Sequence, residues 1–459
     1  MDRLRSTRKG IVIIMLAAGA PFFFGLAGLS VDTIYIYAVK ARLVTAVDAC
    51  ALAAARTIGR GQTEMNRIVD MTFNANFPAD MLMTVSRSHT DPTITIIPNE
   101  GRREVAVEGT AVVPTLFMRM FGWDTLTVGA SAEASRRDVN IMMVLDRSGS
   151  MFRAPGVNPG PNAMEDMKYA AQEFVNQFDD GRDKLGIVSF GSAPRVDYAP
   201  QSNFKAGAVA LLGTLYADNS GTNSSSALWQ GYQALTGLGE PNVLNIIVFF
   251  TDGVSTHFNG TFRTNTTPSG TVCDNIDIDG AIGTYSSPSS DGVIGLVDMD
   301  PGPPPVLSDQ DDWITTPNCG FSSADPRDRI PVLPVVDLYG NSVTGPSTIP
   351  FTTSGIPTTR GLNIKPMTEN LTVNAAIRVR TGALAGIPAT IYAIGLGGEA
   401  PISYPADHNL MRRVANDPSS PDFGSHSNEP SGTYVYAPSA AQLRQAFQQV
   451  ASEIFRLIQ

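Results

Sequence analysis

Val139-Asn140-Ile141-Met142-Met143-Val144-Leu145 runs directly into Asp146-Arg147-Ser148-Gly149-Ser150. The first seven residues are mostly apolar without alternation, the pattern of a strand buried on both faces of a sheet. The next five put oxygen-bearing side chains at 146, 148 and 150, in a loop at the carboxyl end of that strand. Leu244 to Phe250 is a second very apolar strand, and it ends on Thr251-Asp252-Gly253.

Around these two strands the periodicity alternates. Helical spacing covers Ala163 to Phe178, Phe204 to Leu215, Ser224 to Leu235, Leu371 to Leu384, a stretch near Asp407 to Val414, and Ala440 to Ile458. Lys184 to Phe190 and Ala389 to Leu396 read as further strands. Alternating β and α elements predict an α/β fold, a doubly wound parallel sheet with helices on both faces. Val254 to Asn370 breaks the alternation. It is rich in Gly, Pro, Ser, Thr and Asp, and is read as an insertion at about 254–370 outside the sheet.

The donor set decides the chemistry. At the carboxyl end of central parallel strands, Asp146, Ser148, Ser150 and Asp252 can converge on one point. Gly221-Thr222-Asn223 precedes a helix, and Thr222 adds a hydroxyl. Two carboxylates and three hydroxyls are hard donors suited to a divalent cation, Mg²⁺ first, with Mn²⁺ or Ca²⁺ as alternatives. The two negative charges neutralise the ion without surplus, so a carboxylate from a partner protein can complete its shell.

Composition excludes other classes. Of 459 residues, 33 are Lys or Arg and 43 Asp or Glu, a net charge of −10, so nucleic acid is not an expected partner. Apolar residues at 43% suffice for a large core. Three cysteines exclude a disulfide-dense scaffold, and four scattered histidines a histidine-based zinc enzyme. Enzymatic water activation would need a base beside the metal. His257 and Glu165 are the nearest candidates, neither in a defensible motif, so no catalytic residue is assigned. Cys273 and Cys319 share the insertion. Paired, they would close a loop worth roughly 4 kcal/mol; two free thiols are the alternative. Asn275-x-Asp277-x-Asp279-Gly280 begins like a calcium loop, but its twelfth position is Ser286 rather than Glu, and it reads as a solvated acidic turn.

Asp146, Ser148, Ser150, Thr222 and Asp252 together resemble the metal-ion-dependent adhesion site of von Willebrand factor A domains. The resemblance covers about Asp138 to Ile458 without most of the insertion. It implies that family's Rossmann-like fold, with Ser148 and Ser150 as direct ligands, Asp146 and Asp252 often acting through water, and Thr222 as a state-dependent ligand. It also implies a C-terminal helix whose position responds to the site.

The N-terminus carries Arg3, Arg5, Arg8 and Lys9 before an uncharged run, Ile11 to Leu29. As a helix this run is about 28 Å long, enough for a bilayer core, and the cations favour a cytoplasmic start. Ala18-Gly19-Ala20 offers the alternative of a cleaved signal, although Pro21 would follow the cut and the apolar run continues. From Ile36 to Ile58 apolar residues recur at helical spacing on an Ala-rich background, which suits either packing on the protein's own domain or a pilin-like stalk. Residues 84–135 alternate as strands around Asn99-Glu100-Gly101.

Residues 11–59 resemble TadG-type proteins of the tight-adherence (Tad/Flp) pilus assembly system. Gly10 mimics a prepilin peptidase site, but the fifth residue after it is Met15 rather than the usual Glu. The expected organisation is an anchor and TadG/pilin-like helix over 1–60, a small β-rich module over 61–137, and a von Willebrand A domain over 138–459. The expected protein is a single-pass bacterial inner-membrane protein with its C-terminal domain periplasmic or otherwise extracytoplasmic. It would bind a carboxylate-bearing protein partner in pilus assembly or adhesion, with pilus assembly components among its partners. A structural or mechanosensory envelope protein with a purely structural metal is the alternative, and a metal-dependent hydrolase a remoter one.

Overall fold

A computed structural model describes residues 2–58, 61–97, 102–151, 163–217, 220–240, 242–263, 277–284, 293–297, 315–316, 319–320, 333–344, 361–397 and 407–458. The chain divides into two compact units, Met1–Arg137 and Asp138–Ile458.

The first unit opens with α1 (Asp2–Thr57) and α2 (Gln62–Asn76). A four-stranded antiparallel sheet follows: β1 (Ser86–His89), β2 (Thr93–Ile97), β3 (Arg102–Pro114) and β4 (Thr125–Arg137). The long β3 pairs with β4 along one edge and with β1 and β2 along the other. Its inward residues Val105, Val107, Ala111 and Val113 meet Val39, Leu43, Val47, Cys50 and Ala54 of α1 and Met65, Val69 and Phe73 of α2. The apolar stripe of α1 is therefore buried against its own sheet, and helix and β-rich module form one core. Gly109 permits the close approach, because a Cβ there would lie 2.6 Å from Val47 Cγ2. Among the described residues no helix is long and apolar enough to cross a membrane. Most of the expected span, Ile11 to Leu29, lies outside the residues whose side chains are described.

The second unit begins with β5 (Val139–Asp146), all eight of whose residues are buried. There follow α3 (Ala163–Val175), β6 (Lys184–Phe190), β7 (Pro194–Gln201), α4 (Lys205–Thr214), α5 (Ser224–Thr236) and β8 (Leu244–Thr251). Within the insertion β9 (His257–Arg263), β10 (Asp277–Thr284) and β11 (Val293–Val297) make a separate antiparallel sheet. β12 (Thr315–Thr316) and β13 (Cys319–Gly320) make a short ladder. The chain ends with α6 (Gly361–Arg380), β14 (Thr390–Leu396), α7 (His408–Ala415), α8 (Phe423–His426), β15 (Tyr434–Ala437) and α9 (Ala440–Ile458).

The main sheet has the order β15-β14-β8-β5-β6-β7. Its strands are parallel except β7, which forms an antiparallel edge hairpin with β6. The expected all-parallel sheet is thus corrected to a mixed one. Val139, Ile141, Met143 and Leu145 of β5 point into a core shared with α3, α4 and α9, while Met142 and Val144 point into one shared with α5, α6 and α7. Helices therefore cover both faces, as a strand apolar on both sides requires. In α9, Leu443, Phe447, Val450, Ile454 and Ile458 are all buried in the first of these cores.

Two further expectations change. α6 starts at Gly361, ten residues before the expected Leu371, and accommodates Pro366. Buried Ile364, Met367, Leu371 and Ala375 hold it by packing, which outweighs the lost amide donor. Asp277 and Asp279 lie in β10 rather than in an acidic turn, and Asp279 accepts from Thr261 Oγ1 of β9 (2.6 Å). Cys273 lies outside the described residues, and of Cys319 only the backbone is described, so the proposed disulfide falls outside them too. Cys50 is free and buried in α1.

Candidate metal centre

β5 and β8 are neighbours in parallel register, with Leu145 opposite Phe250. Asp146 and Thr251 therefore end the two strands side by side. The chain steps from β5 to β6 on one side and later to β8 on the other, so this end is where the sheet order reverses, the crevice in which doubly wound sheets bind ligands.

Each donor is held in place. Asp146 Oδ1 accepts from Ser148 N–H (2.8 Å), and Asp146 Oδ2 accepts from Thr251 Oγ1. The Ser148 and Ser150 hydroxyls share a hydrogen bond of 3.0 Å, and Ser150 Oγ donates to Asp252 Oδ1 (2.6 Å). Four of the five expected ligands, Asp146, Ser148, Ser150 and Asp252, thus form one linked group. Asp146, Ser148 and Asp252 are buried, and Ser150 is exposed at the rim.

Thr222 is carried by the neighbouring loop. Gly149 N–H donates to Ser220 O (3.0 Å), which ties that loop to the serines. The Thr222 carbonyl accepts from Thr256 N–H (2.9 Å) and His257 N–H (3.0 Å), and from Ser255 Oγ (3.3 Å). Asn223 then caps α5, accepting from Ser226 N–H (3.3 Å) and donating from Nδ2 to Ser192 O (3.0 Å). The Thr222 backbone is thereby fixed, two residues from the Ser220 carbonyl that meets Gly149, and its hydroxyl makes no hydrogen bond to the other four among the described residues.

The electrostatics are compatible with a cation. Burial pushes the Asp146 carboxyl above its usual range, although hydrogen bonds from Ser148 and Thr251 and the Arg147 charge pull it back in part. Burial and then the charge of Asp146 push Asp252 up to about 8, opposed by the Ser150 hydrogen bond. Asp252 Oδ2 is buried with no hydrogen-bond partner among the described residues. Two buried carboxylates with an orphaned oxygen are costly when both are ionised, and protonation or a bound positive charge relieves that cost. Among the described residues no three His, Cys, Asp or Glu side chains cluster as ligands; the donors here are two carboxylates supplemented by hydroxyls. That set fits a hard divalent ion.

Thr251 is the functional side chain that sequence reasoning missed as a site residue. It orients Asp146, and its own Oγ1 accepts from Gly253 N–H (3.2 Å). Neither candidate base hydrogen-bonds to the Asp146–Ser150–Asp252 group among the described residues. His257 is buried, with burial lowering it to about 4, and its ring fills the space that side chains at Gly221 and Gly283 would need. Glu165 pairs with Lys168 on α3 (2.8 Å).

Residues 141–254 match the family model of the von Willebrand factor type A domain, and residues 10–57 that of putative Flp pilus-assembly TadE/G-like proteins. No curated protein matches the sequence. Solved structures show loose likenesses. The PilB minor pilin from Streptococcus sanguinis is 13% identical at a TM-score of 0.41, over 82% of this chain and 79% of that one. The pilus adhesin SpaC from Lactobacillus rhamnosus GG is 15% identical at 0.39, over 80% of this chain and 34% of that one. The vWF domain of the type V pili tip protein Mfa5 from Porphyromonas gingivalis is 16% identical at 0.38, over 71% of this chain and 98% of that one. Two family models thus match separate stretches of the chain, the TadE/G-like one at 10–57 and the von Willebrand factor type A one at 141–254.

Proposed function

We propose that this chain is an envelope-anchored, non-enzymatic binding protein of a pilus-related system. In this reading it grips an acidic group of a protein partner through a divalent cation. Ser148, Ser150 and Asp252 would hold the ion, with Asp146 orienting the serine loop and Thr222 supplying a further hydroxyl. When bound, the cation supplies positive charge to the two carboxylates and a Lewis-acidic position for an incoming carboxylate. The observation that carries the reading is Asp252 Oδ2, buried with no hydrogen-bond partner among the described residues, on the carboxylate whose other oxygen, Oδ1, accepts from Ser150 Oγ at the rim. Mg²⁺ is the favoured ion because all five donors are hard oxygens.

The TadE/G-like match supports a pilus-associated envelope location. The cationic start and the uncharged run Ile11 to Leu29 support a single-pass inner-membrane anchor with a cytoplasmic N-terminus.

The test is capture from native envelopes with the full chain, in Mg²⁺ and in chelator, against Asp146→Ala. Partners recovered only by the unaltered chain with metal support the reading. Undiminished capture by Asp146→Ala, or in chelator, overturns the metal bridge.

A further inference from the structure

The loop between β3 and β4 is ordered and presents apolar side chains to solvent. Thr115 N–H donates to Asp124 O (3.0 Å) and Thr115 Oγ1 to Trp123 O, which closes the loop at its base. Between them a single 3-10 turn, Met118–Phe121, leads into Gly122 at φ 88°. Met120 is 80% exposed, Phe121 72% and Trp123 57%, with Leu116 and Phe117 also open. This is a contiguous set rather than the scattered single residues normal on a surface.

The loop is pinned to α1 at one level. Buried Asp32 accepts from the backbone N–H groups of Leu116 (2.8 Å), Phe117 (2.9 Å) and Met118 (2.7 Å). Burial raises its carboxyl, and the three amides together outweigh that and hold it below the usual range. From Asp32 the loop runs back along α1 toward the N-terminus. A Cβ on Gly28 would lie 2.6 Å from Phe117 Cγ, so glycine is needed for that ring to seat. A Cβ on Gly25 would touch Phe121 Cζ at 3.8 Å. Gly25 and Gly28 both belong to the uncharged run that ends at Leu29. Phe121 is thus level with a point four residues inside that run, about 6 Å along the helix axis.

We propose that the β3–β4 loop, Leu116 to Trp123, enters the lipid interface beside α1 and forms a second membrane contact. The proposal rests on the reading of Ile11 to Leu29 as a bilayer span. Its occupant is lipid because the exposed patch lies against the carboxyl-terminal end of that run, at Gly25 and Gly28. The chemistry agrees: Phe and Trp suit the boundary between headgroups and chains. Arg119 stands in the loop with no acid between Leu116 and Trp123, which suits anionic headgroups. Asp32, the one acid of α1 between Leu29 and Lys40, is turned inward onto the loop backbone. With two contacts, the first unit has a fixed tilt and height on the membrane rather than swinging from a single helix.

The test uses the full chain in vesicles of phosphatidylethanolamine and phosphatidylglycerol. Native cysteines are replaced (Cys50→Ala, Cys273→Ser, Cys319→Ser), and an environment-sensitive fluorophore is attached to one new cysteine at a time. Met120→Cys reports the loop, Ala18→Cys the anchor, and Ile96→Cys the far end of the sheet, about 35 Å away along β3. Nitroxide-bearing lipids are the quenchers. The expected result is deep quenching at 18, shallow quenching at 120 and none at 96. Quenching at 18 without quenching at 120 overturns the loop contact and leaves the anchor standing. Absence of quenching at both positions overturns the anchor, and the loop contact with it. A label at 120 shielded from aqueous iodide yet insensitive to lipid nitroxides shows a protein cover and also overturns the proposal.

Discussion

Thr251 Oγ1 donates to Asp146 Oδ2 across two adjacent parallel strands, joining residues 105 positions apart in the chain. The bond leaves Asp146 Oδ1 for the Ser148 amide and so sets the loop that carries both serines. Thr251→Val keeps shape and β-branching while removing the donor. The expected outcome is a roughly 10-fold or greater loss of divalent-ion affinity with the fold retained. Calorimetric titration with Mg²⁺ or Mn²⁺, alongside circular dichroism, checks it.

Asp252 Oδ2 is buried with no hydrogen-bond partner among the described residues, so under the proposed function the metal-free protein carries a local destabilisation that a bound ion would remove. Asp252→Asn is expected to raise the melting temperature in chelator. In the unaltered chain, Mg²⁺ at a hundred times its dissociation constant should stabilise by about 2.7 kcal/mol, and Asp252→Asn should lose that gain. Thermal melts with and without Mg²⁺ measure both effects.

Glu369 sits on α6, and burial, then the nearby charge of Asp407, push it up to about 7, opposed by Lys365 and Arg413. An acid whose folded pKa is raised binds more protons folded than unfolded, so stability falls as pH rises through that window. The second unit should lose stability between about pH 4.5 and 7, by roughly 3 kcal/mol at most, and stay at the lower level above it. Glu369→Gln should flatten that slope. Denaturant midpoints at pH 5 and pH 8 decide it.

Gly109 lies where α1 presses on β3, with Val47 Cγ2 at 2.6 Å and Leu43 Cδ1 at 3.3 Å from the place of a Cβ. Val47 is stiff at χ1 and cannot easily turn away. Gly109→Ala should therefore destabilise the first unit by about 1–3 kcal/mol, read as a lowered denaturation midpoint with no effect on metal affinity.

Much of this was legible beforehand, for reasons particular residues explain. β5 and β8 carry continuous apolar runs that admit only a strand covered on both faces, and the oxygen-bearing residues at their ends follow from that placement. The readable donors were those on the strand ends. Thr251 was not assigned because its role depends on the register between β5 and β8, which exists only once the strand order is known. β7 was missed because Pro194, Arg195, Asp197 and Pro200 do not read as a strand, and an antiparallel edge tolerates them. α6 begins early because its inward face, Ile364, Met367 and Leu371, packs well enough to override Pro366 and the glycine-rich approach.

Asp32 offers a last check on the first unit. Asp32→Ala would leave three amides of the Leu116–Met118 backbone without their acceptor. The expected cost is at least about 2 kcal/mol, with faster hydrogen exchange confined to those amides and the turn that follows.

One carbonyl, that of Thr222, takes three hydrogen bonds at the root of β9. The inserted sheet is thus rooted in the same loop that carries the Thr222 hydroxyl. A shift of that loop would carry the first residues of β9 with it, through the Thr256 and His257 amides.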